Sequence, residues 1–164
     1  MSGLQGWSDP VARKIVDFLE GIGIPVVAEP LDGEAFLPGV TIRDGTLVAD
    51  PERVHPGDLL HEAGHIAVTE PELRGSLNAV RDDPGEEMAA IAWSWAAGVK
   101  LGLDPVILFH SDGYRGGSEA LIENFAAGRD VGVPMLRWFG MTAGWGPTAE
   151  PGLEPYPHME RWLR

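Results

Sequence analysis

The sequence predicts a single α+β domain in which a small β-sheet, including one hairpin, packs on three or more helices. Three observations support this fold class: a segment with helical periodicity near the start, two β-rich runs joined by a tight-turn dipeptide, and two longer helical segments after them. A chain of 164 residues suits one domain with a substantial core.

The first part of the chain has clear start and turn signals. Asp9 is placed to cap a helix that Pro10 opens, because proline suits the first helical position. The segment "IPVVAE" is then a predicted short strand. The hairpin spans "GVTIRDGTLVAD", whose Asp44-Gly45 dipeptide accepts the positive φ angles of a tight turn. A helix with the sequence "DLLHEAGHIAV" is predicted over 58–68.

The second part begins with a predicted loop over 69–85. A helix over 86–102 follows, for which Asp83 is the predicted cap. The stretch 104–117 is a predicted buried run that leads into a glycine-rich loop. Ser118 is placed to cap the next helix.

Composition and charge narrow the class of partner. The chain carries 25 acidic and 12 basic residues, a net charge of −13, which argues against nucleic acid or an anionic membrane as the partner. No apolar run approaches the roughly 20 residues that a membrane span needs, and the N-terminus lacks the pattern of a signal peptide. Cysteine is absent, which excludes disulfides and thiolate metal ligands. We therefore expect a cytoplasmic protein.

The stretch 58–68 holds the residues of most chemical interest. A helix turns about 100° per residue, which gathers Asp58, His61, Glu62, His65 and Thr69 on one face and Leu59, Leu60, Ala63, Ile66 and Ala67 on the other. His61 and His65 are four residues apart, so their rings project side by side and can bind one ion such as Zn²⁺. Glu62 lies beside them as a general base for an attacking water, which completes an H-E-x-x-H motif. Gly64 in mid-helix indicates that another backbone passes close by.

A catalytic zinc ion needs a third protein ligand, and the next helix offers Glu86 and Glu87. Glu86 is three residues after Asp83, where it would complete a capping box at the surface. Glu87 shares a helix face with Ala90, so we expect it to point inward and favour it as the ligand over Glu86. Two further alternatives stay open: both carboxylates are solvated charges in the first turn, or His110 is the third ligand.

The segment "FHSDGYRGG" brings further polar groups together. A metal site that directs water onto a carbonyl also needs a donor for the oxyanion that forms, and His110 or Tyr114 is a candidate for this catalytic role. The alternative is an ordinary tight loop, because Asp112-Gly113 is common turn chemistry.

An H-E-x-x-H helix with a glutamate on the following helix resembles zinc metallopeptidases of the gluzincin type. The order of hairpin, "HEAGH" helix and "EMAAIAW" helix is nearest to the compact ImmA/IrrE-type metallopeptidases, over roughly residues 37–97. The resemblance implies a zincin-like metal-binding domain over 1–143, a Zn²⁺ cofactor, and hydrolysis of a peptide or protein substrate. The alternative is a metal-binding regulatory or protein-interaction module without turnover.

The segment 144–164, called the C-terminal arm below, is expected to belong to the same domain. Its four prolines exclude regular helix, except at "HMERWLR". Trp145, Tyr156 and Trp162 offer large apolar area that must be buried. We expect the arm to restrict access to the metal or to mediate self-association into a homo-oligomer. Packing on the flank of its own domain is the alternative.

Overall fold

A computed structural model of the protein describes residues 4–33, 37–129 and 131–164. Within these residues the fold is α+β, as predicted, with seven helices and one mixed three-stranded sheet. The elements are α1 (Pro10–Ile22), β1 (Val26–Ala28), β2 (Val40–Arg43), β3 (Thr46–Ala49), α2 (Pro56–Val68), α3 (Pro71–Arg74), α4 (Pro84–Leu101), α5 (Pro105–Leu108), α6 (Ser118–Ala126) and α7 (Val133–Trp138). None of the helices in these ranges is long and apolar enough to cross a membrane.

The sheet has the order β1-β3-β2, with β3 in the centre. Strand β1 pairs with β3 in parallel, whereas β2 and β3 form the predicted antiparallel hairpin, in which Ile42 lies opposite Leu47. Asp44 and Gly45 have φ angles of 48° and 71°, which confirms the tight turn expected from this dipeptide. Leu47 is fully buried, so the central strand forms part of the core.

The predicted helix starts are confirmed at α1 and α4. The Asp9 side chain accepts a hydrogen bond from the backbone N–H of Ala12, and Pro10 is the first residue of α1. The Asp83 side chain accepts from the backbone N–H groups of Gly85 and Glu86. Both caps satisfy donors that the first turn of a helix leaves free.

Helix α2 lies at the centre of the fold, and all its residues after Pro56 are buried. It packs against α1, α4, α5 and the hairpin. A Cβ atom at Gly64 would lie 2.8 Å from the carbonyl oxygen of Ala90, so the close backbone that this glycine predicted is α4. The polar face of α2 is therefore turned towards other parts of the chain instead of towards solvent.

Three predictions of detail are wrong. The predicted loop over 69–85 contains the one-turn helix α3. The predicted buried run after Asp104 is the short helix α5, where Val106 is 61% exposed. Ser118 is the first residue of α6 instead of its cap, because the preceding tight turn ends at Gly117 and that residue takes the cap position.

The C-terminal arm packs on the flank of its own domain, the alternative stated above. The Tyr156 hydroxyl donates to the backbone carbonyl of Ala92, and the Trp93 indole N–H donates to the carbonyl of Trp162. The Trp162 ring meets Trp93 and Phe18 edge to face, with centroids 5.6 and 5.0 Å apart. The arm is irregular as predicted, apart from one 3₁₀ turn at Gly146–Thr148, and "HMERWLR" is not helical.

Candidate metal centre

Helix α2 brings His61, Glu62 and His65 together in the interior. Their side chains each offer a ligand atom, and these atoms lie within 4.8 Å of one another. The three residues are 3%, 6% and 0% exposed. Two imidazoles and a carboxylate buried at this spacing can hold a metal ion.

Glu87 reaches this group from α4. Its two oxygens lie 3.1 Å from Nε2 of His61 and 2.9 Å from Nε2 of His65. The contact at His65 has the distance of an ion pair but not the alignment of a hydrogen bond. The Glu87 side chain is 41% exposed, so the expectation that it points fully inward is only partly right. One carboxylate nevertheless contacts both histidines of the motif.

Glu86 is placed differently from the surface position that its capping role predicted. It is 6% exposed, and its Oε1 lies 3.1 Å from Nδ1 of His65. Its Oε2 accepts from Nε of Arg81 at 2.9 Å. Asp83 caps the helix, but Glu86 does not complete the predicted capping box, because its carboxylate is used by His65 and Arg81 instead.

His65 thus lies between two carboxylates, one at each ring nitrogen. Burial by itself lowers the pKa of His65, but its contacts with Glu86 and Glu87 outweigh burial and raise that pKa to about 9. Burial likewise raises the pKa of Glu87, yet contacts with His61 and His65 bring it well below its usual range. Each shift means that a positive charge between these carboxylates is strongly favoured.

Glu62, the one carboxylate of the H-E-x-x-H motif, has no ion-pair partner among the described residues. Burial is the largest cause that raises its pKa, and the nearby His61 and His65 offset it only in part. A carboxylate with a raised pKa is a better proton acceptor near neutral pH than one at its ordinary value. The environment of Glu62 therefore fits the general-base role predicted for it.

Tyr114 is brought to the centre by the loop that follows α5. Its ring meets the His61 ring edge to face at 5.5 Å, and its hydroxyl is buried without a hydrogen-bond partner in the described residues. Burial and then the charges of Asp58, Glu87 and Glu62 raise the pKa of Tyr114, so the phenol keeps its proton. Tyr114 and Arg115 both adopt left-handed backbone angles, with φ of 58° and 53°. The loop thus holds an unused donor next to the motif at some conformational cost.

His110 is engaged elsewhere. Its Nε2 lies 2.8 Å from Oδ1 of Asp58, and its ring stacks on His55 at 3.9 Å. No hydrogen bond or ring contact joins His110 to either motif histidine in the described part of the chain. The structure therefore gives no support to His110 as third ligand, and its predicted oxyanion role is less well supported than that of Tyr114.

Sequence reasoning assigned no role in this site to Asp58 or Arg81, and it considered Glu86 only as the less favoured ligand, not as the partner of Nδ1 of His65. Asp58 had a signal, because it lies one turn before Glu62 on the same face of the motif helix. The contact between Glu86 and His65 could also have been anticipated, because a histidine that binds a metal usually donates its other N–H to a carboxylate. Arg81 had no signal in the sequence, because only the path of the loop before α4 brings it to Glu86.

Comparison of this chain with protein families, with curated proteins and with solved structures finds no match. Its function therefore has to be argued from the geometry of the centre.

Proposed function

We propose that this protein is a zinc-dependent peptide hydrolase with a zincin-like fold, in which His61, His65 and Glu87 hold the metal. The observation that carries the proposal is the convergence of two imidazole Nε2 atoms on the two oxygens of Glu87, at 3.1 and 2.9 Å. Two histidines and one carboxylate are a common ligand set for catalytic zinc.

The fit of this ligand set to a cation follows from the hydrogen bonding of His65. Glu86 accepts a hydrogen bond from Nδ1 of His65. A neutral His65 ring therefore carries its lone pair at Nε2, which faces the Glu87 carboxylate. These two facing acceptors are stabilised by a positive charge, which is either a proton on Nε2, as the raised pKa of about 9 for His65 favours, or a cation bound between Nε2 and the Glu87 carboxylate. A divalent metal ion satisfies both groups and His61 together.

The reaction follows from the positions of two further side chains. A zinc ion held by His61, His65 and Glu87 would supply Lewis acidity for the scissile carbonyl and for the attacking water. Glu62 accepts the proton of that water and passes it to the leaving amine. The Tyr114 hydroxyl, which has no other partner in the described residues, donates a hydrogen bond to the oxyanion. Because the centre is buried, these interactions act in a low dielectric.

The second candidate function is a metal-binding regulatory or protein-interaction module without turnover. The burial of the motif favours it, since His61 and Glu62 are only 3% and 6% exposed and therefore offer little surface to a substrate. Glu62 favours the hydrolase, because a purely structural metal site does not need it.

A screen of peptide cleavage separates the two functions. Wild type, Glu62→Gln and the control Glu72→Gln are incubated with a diverse peptide library, and products are identified by mass spectrometry. Glu72 is exposed on α3, so its variant should behave as wild type. Glu62→Gln should retain zinc by elemental analysis and lose all cleavage. The same products from wild type and Glu62→Gln, or none from wild type that binds zinc, would remove the hydrolase and leave the binding module.

A further inference from the structure

The Glu86 carboxylate pairs with one guanidinium group among the described residues, that of Arg81. Arg81 places both Nε and Nη2 against Oε2 of Glu86, at 2.9 and 2.8 Å. The other oxygen, Oε1, is left for Nδ1 of His65 at 3.1 Å. Since His65 is fully buried, no solvent contact orients its ring. Among the described residues, Glu86 is the hydrogen-bond partner of the His65 ring, and Arg81 holds the other oxygen of Glu86.

We propose that Arg81 is a positioning residue for the metal centre, acting through Glu86 on His65. A buried carboxylate without a cation is costly, and it would also turn away from its histidine if its second oxygen were unpaired. With Arg81 present, Glu86 accepts from Nδ1 of His65, which keeps the lone pair at Nε2 on the side of His61 and Glu87. The inference rests on the proposed metal site.

The ion-pair network continues from Arg81 towards the surface, where its pairs should have little effect on metal binding. Nη2 of Arg81 also lies 3.0 Å from Oε2 of Glu70, and Glu70 in turn lies 3.6 Å from Nη1 of Arg164. The side chains of Arg81 and Glu70 are 39% and 36% exposed, whereas that of Glu86 is 7% exposed. Solvent screens exposed ion pairs strongly. The effect on the metal should thus be large at Glu86, substantial at Arg81 and small at Glu70.

The test measures zinc affinity and the geometry of the site separately from activity. Wild type, Glu86→Gln, Arg81→Ala, Arg81→Lys and Glu70→Ala are compared by competition with a zinc chelator of known affinity. Their Co²⁺ forms are compared by visible absorption, which reports the arrangement of the ligands. The control is Arg43→Ala, which removes a similar exposed ion pair, with Glu29 at 2.8 Å, from the hairpin.

Glu86→Gln and Arg81→Ala should each weaken zinc binding by about 10- to 100-fold and change the Co²⁺ spectrum. Arg81→Lys should restore only part of the affinity, because an ammonium group lacks the planar fork that places two donors on one oxygen. Glu70→Ala and Arg43→Ala should match wild type in both readouts. Circular dichroism and thermal unfolding of each variant show whether it is folded.

Folded Arg81→Ala with wild-type affinity and an unchanged Co²⁺ spectrum would overturn the inference while the proposed function stands. The inference would also be overturned if Glu70→Ala changed zinc affinity and the Co²⁺ spectrum as much as Arg81→Ala does. The effect of Arg81 would then be one of general electrostatics. Failure of the wild type to bind zinc would overturn the proposed function itself. If Arg81→Ala does not fold, Arg81→Lys and Glu86→Gln decide the matter by the same two readouts.

Discussion

An oxygen of Glu87 lies 2.9 Å from Nε2 of His65, although the two residues come from different helices. The contact depends on how closely α2 and α4 approach each other. They approach each other closely at Gly64, next to His65, where an added Cβ would lie 2.8 Å from the carbonyl oxygen of Ala90. Ala90 is one turn after Glu87 on α4. Gly64 thus permits the close approach of the two helices that brings Glu87 to His65.

Substitution of Gly64 by alanine should therefore disturb the metal centre as well as the core. The new Cβ forces α2 and α4 apart, and such overpacking costs about 1–3 kcal/mol of the free energy of unfolding. The separation also moves Glu87 away from His65, so zinc affinity should fall. Denaturant unfolding and chelator competition measure the two effects.

Gly21 provides the matched control. It lies in α1, and a Cβ there would meet nothing within 4 Å. Gly21→Ala should leave zinc affinity unchanged and should stabilise the protein by up to about 1 kcal/mol, because alanine is the better helix former. A Gly64→Ala variant that keeps both stability and zinc affinity would show that the approach of the two helices does not matter to the site.

Removal of single ligands should distinguish the two adjacent glutamates. Elemental analysis of the purified wild type should find near-stoichiometric zinc. This zinc should be absent from each of the variants His61→Ala, His65→Ala and Glu87→Ala. Glu86→Gln should retain measurable but weakened binding, since Glu86 contacts the far nitrogen of His65. Full zinc affinity in Glu87→Ala, with loss in Glu86→Gln, would reverse the assignment of the pair.

The sequence predicted the α+β class, the hairpin and the motif helix because these depend on local signals. Turn chemistry at Asp44-Gly45 and the spacing of His61 and His65 are visible without any tertiary contact. The exposure of the two glutamates was not predictable in this way. Their positions differ by one residue, and which of them is buried depends on the angle at which α4 crosses α2.

The surroundings of the motif were predicted least well for the same reason. The pairing of Asp58 with His110 joins α2 to the loop after α5, and the pairing of Arg81 with Glu86 depends on the loop before α4. A single sequence carries no periodic signal for a contact between a loop and a distant helix. Local patterns thus located the candidate ligands, and long-range packing determined what orients them.

The two tyrosines of the chain should respond in opposite ways to the loss of their hydroxyl groups. Tyr114→Phe removes a buried hydroxyl that has no hydrogen-bond partner in the described residues, so the protein should keep its stability or gain some. If Tyr114 stabilises the oxyanion, kcat should fall by about 10²- to 10³-fold, with zinc content unchanged. Steady-state kinetics on a peptide identified in the screen would measure the loss.

Tyr156→Phe is the comparison. Its hydroxyl donates to the carbonyl of Ala92 at 2.7 Å in the interior, and loss of that donor leaves a buried carbonyl with one bond fewer. The free energy of unfolding should fall by about 0.5–1.5 kcal/mol, the net contribution of one hydrogen bond, while kcat stays at the wild-type value. Unchanged kcat in Tyr114→Phe would remove Tyr114 from the proposed chemistry.

Disruption of the C-terminal arm should destabilise the domain before it affects the metal. The Trp162 ring packs on Trp93, which is fully buried, so truncation after Thr142 exposes part of the core and should prevent stable folding. Trp162→Ala is the milder change, and it should cost about 2–3 kcal/mol, less than the 3–5 kcal/mol of a fully buried aromatic residue. Trp138→Ala is the control, because that side chain is 84% exposed and its loss should alter stability by less than about 0.5 kcal/mol.

Thermal unfolding, zinc content and light scattering of the three variants would show whether the arm acts only through stability. A stably folded truncation with a smaller oligomeric mass or faster peptide cleavage would contradict this account, and would support self-association or restricted access to the metal instead.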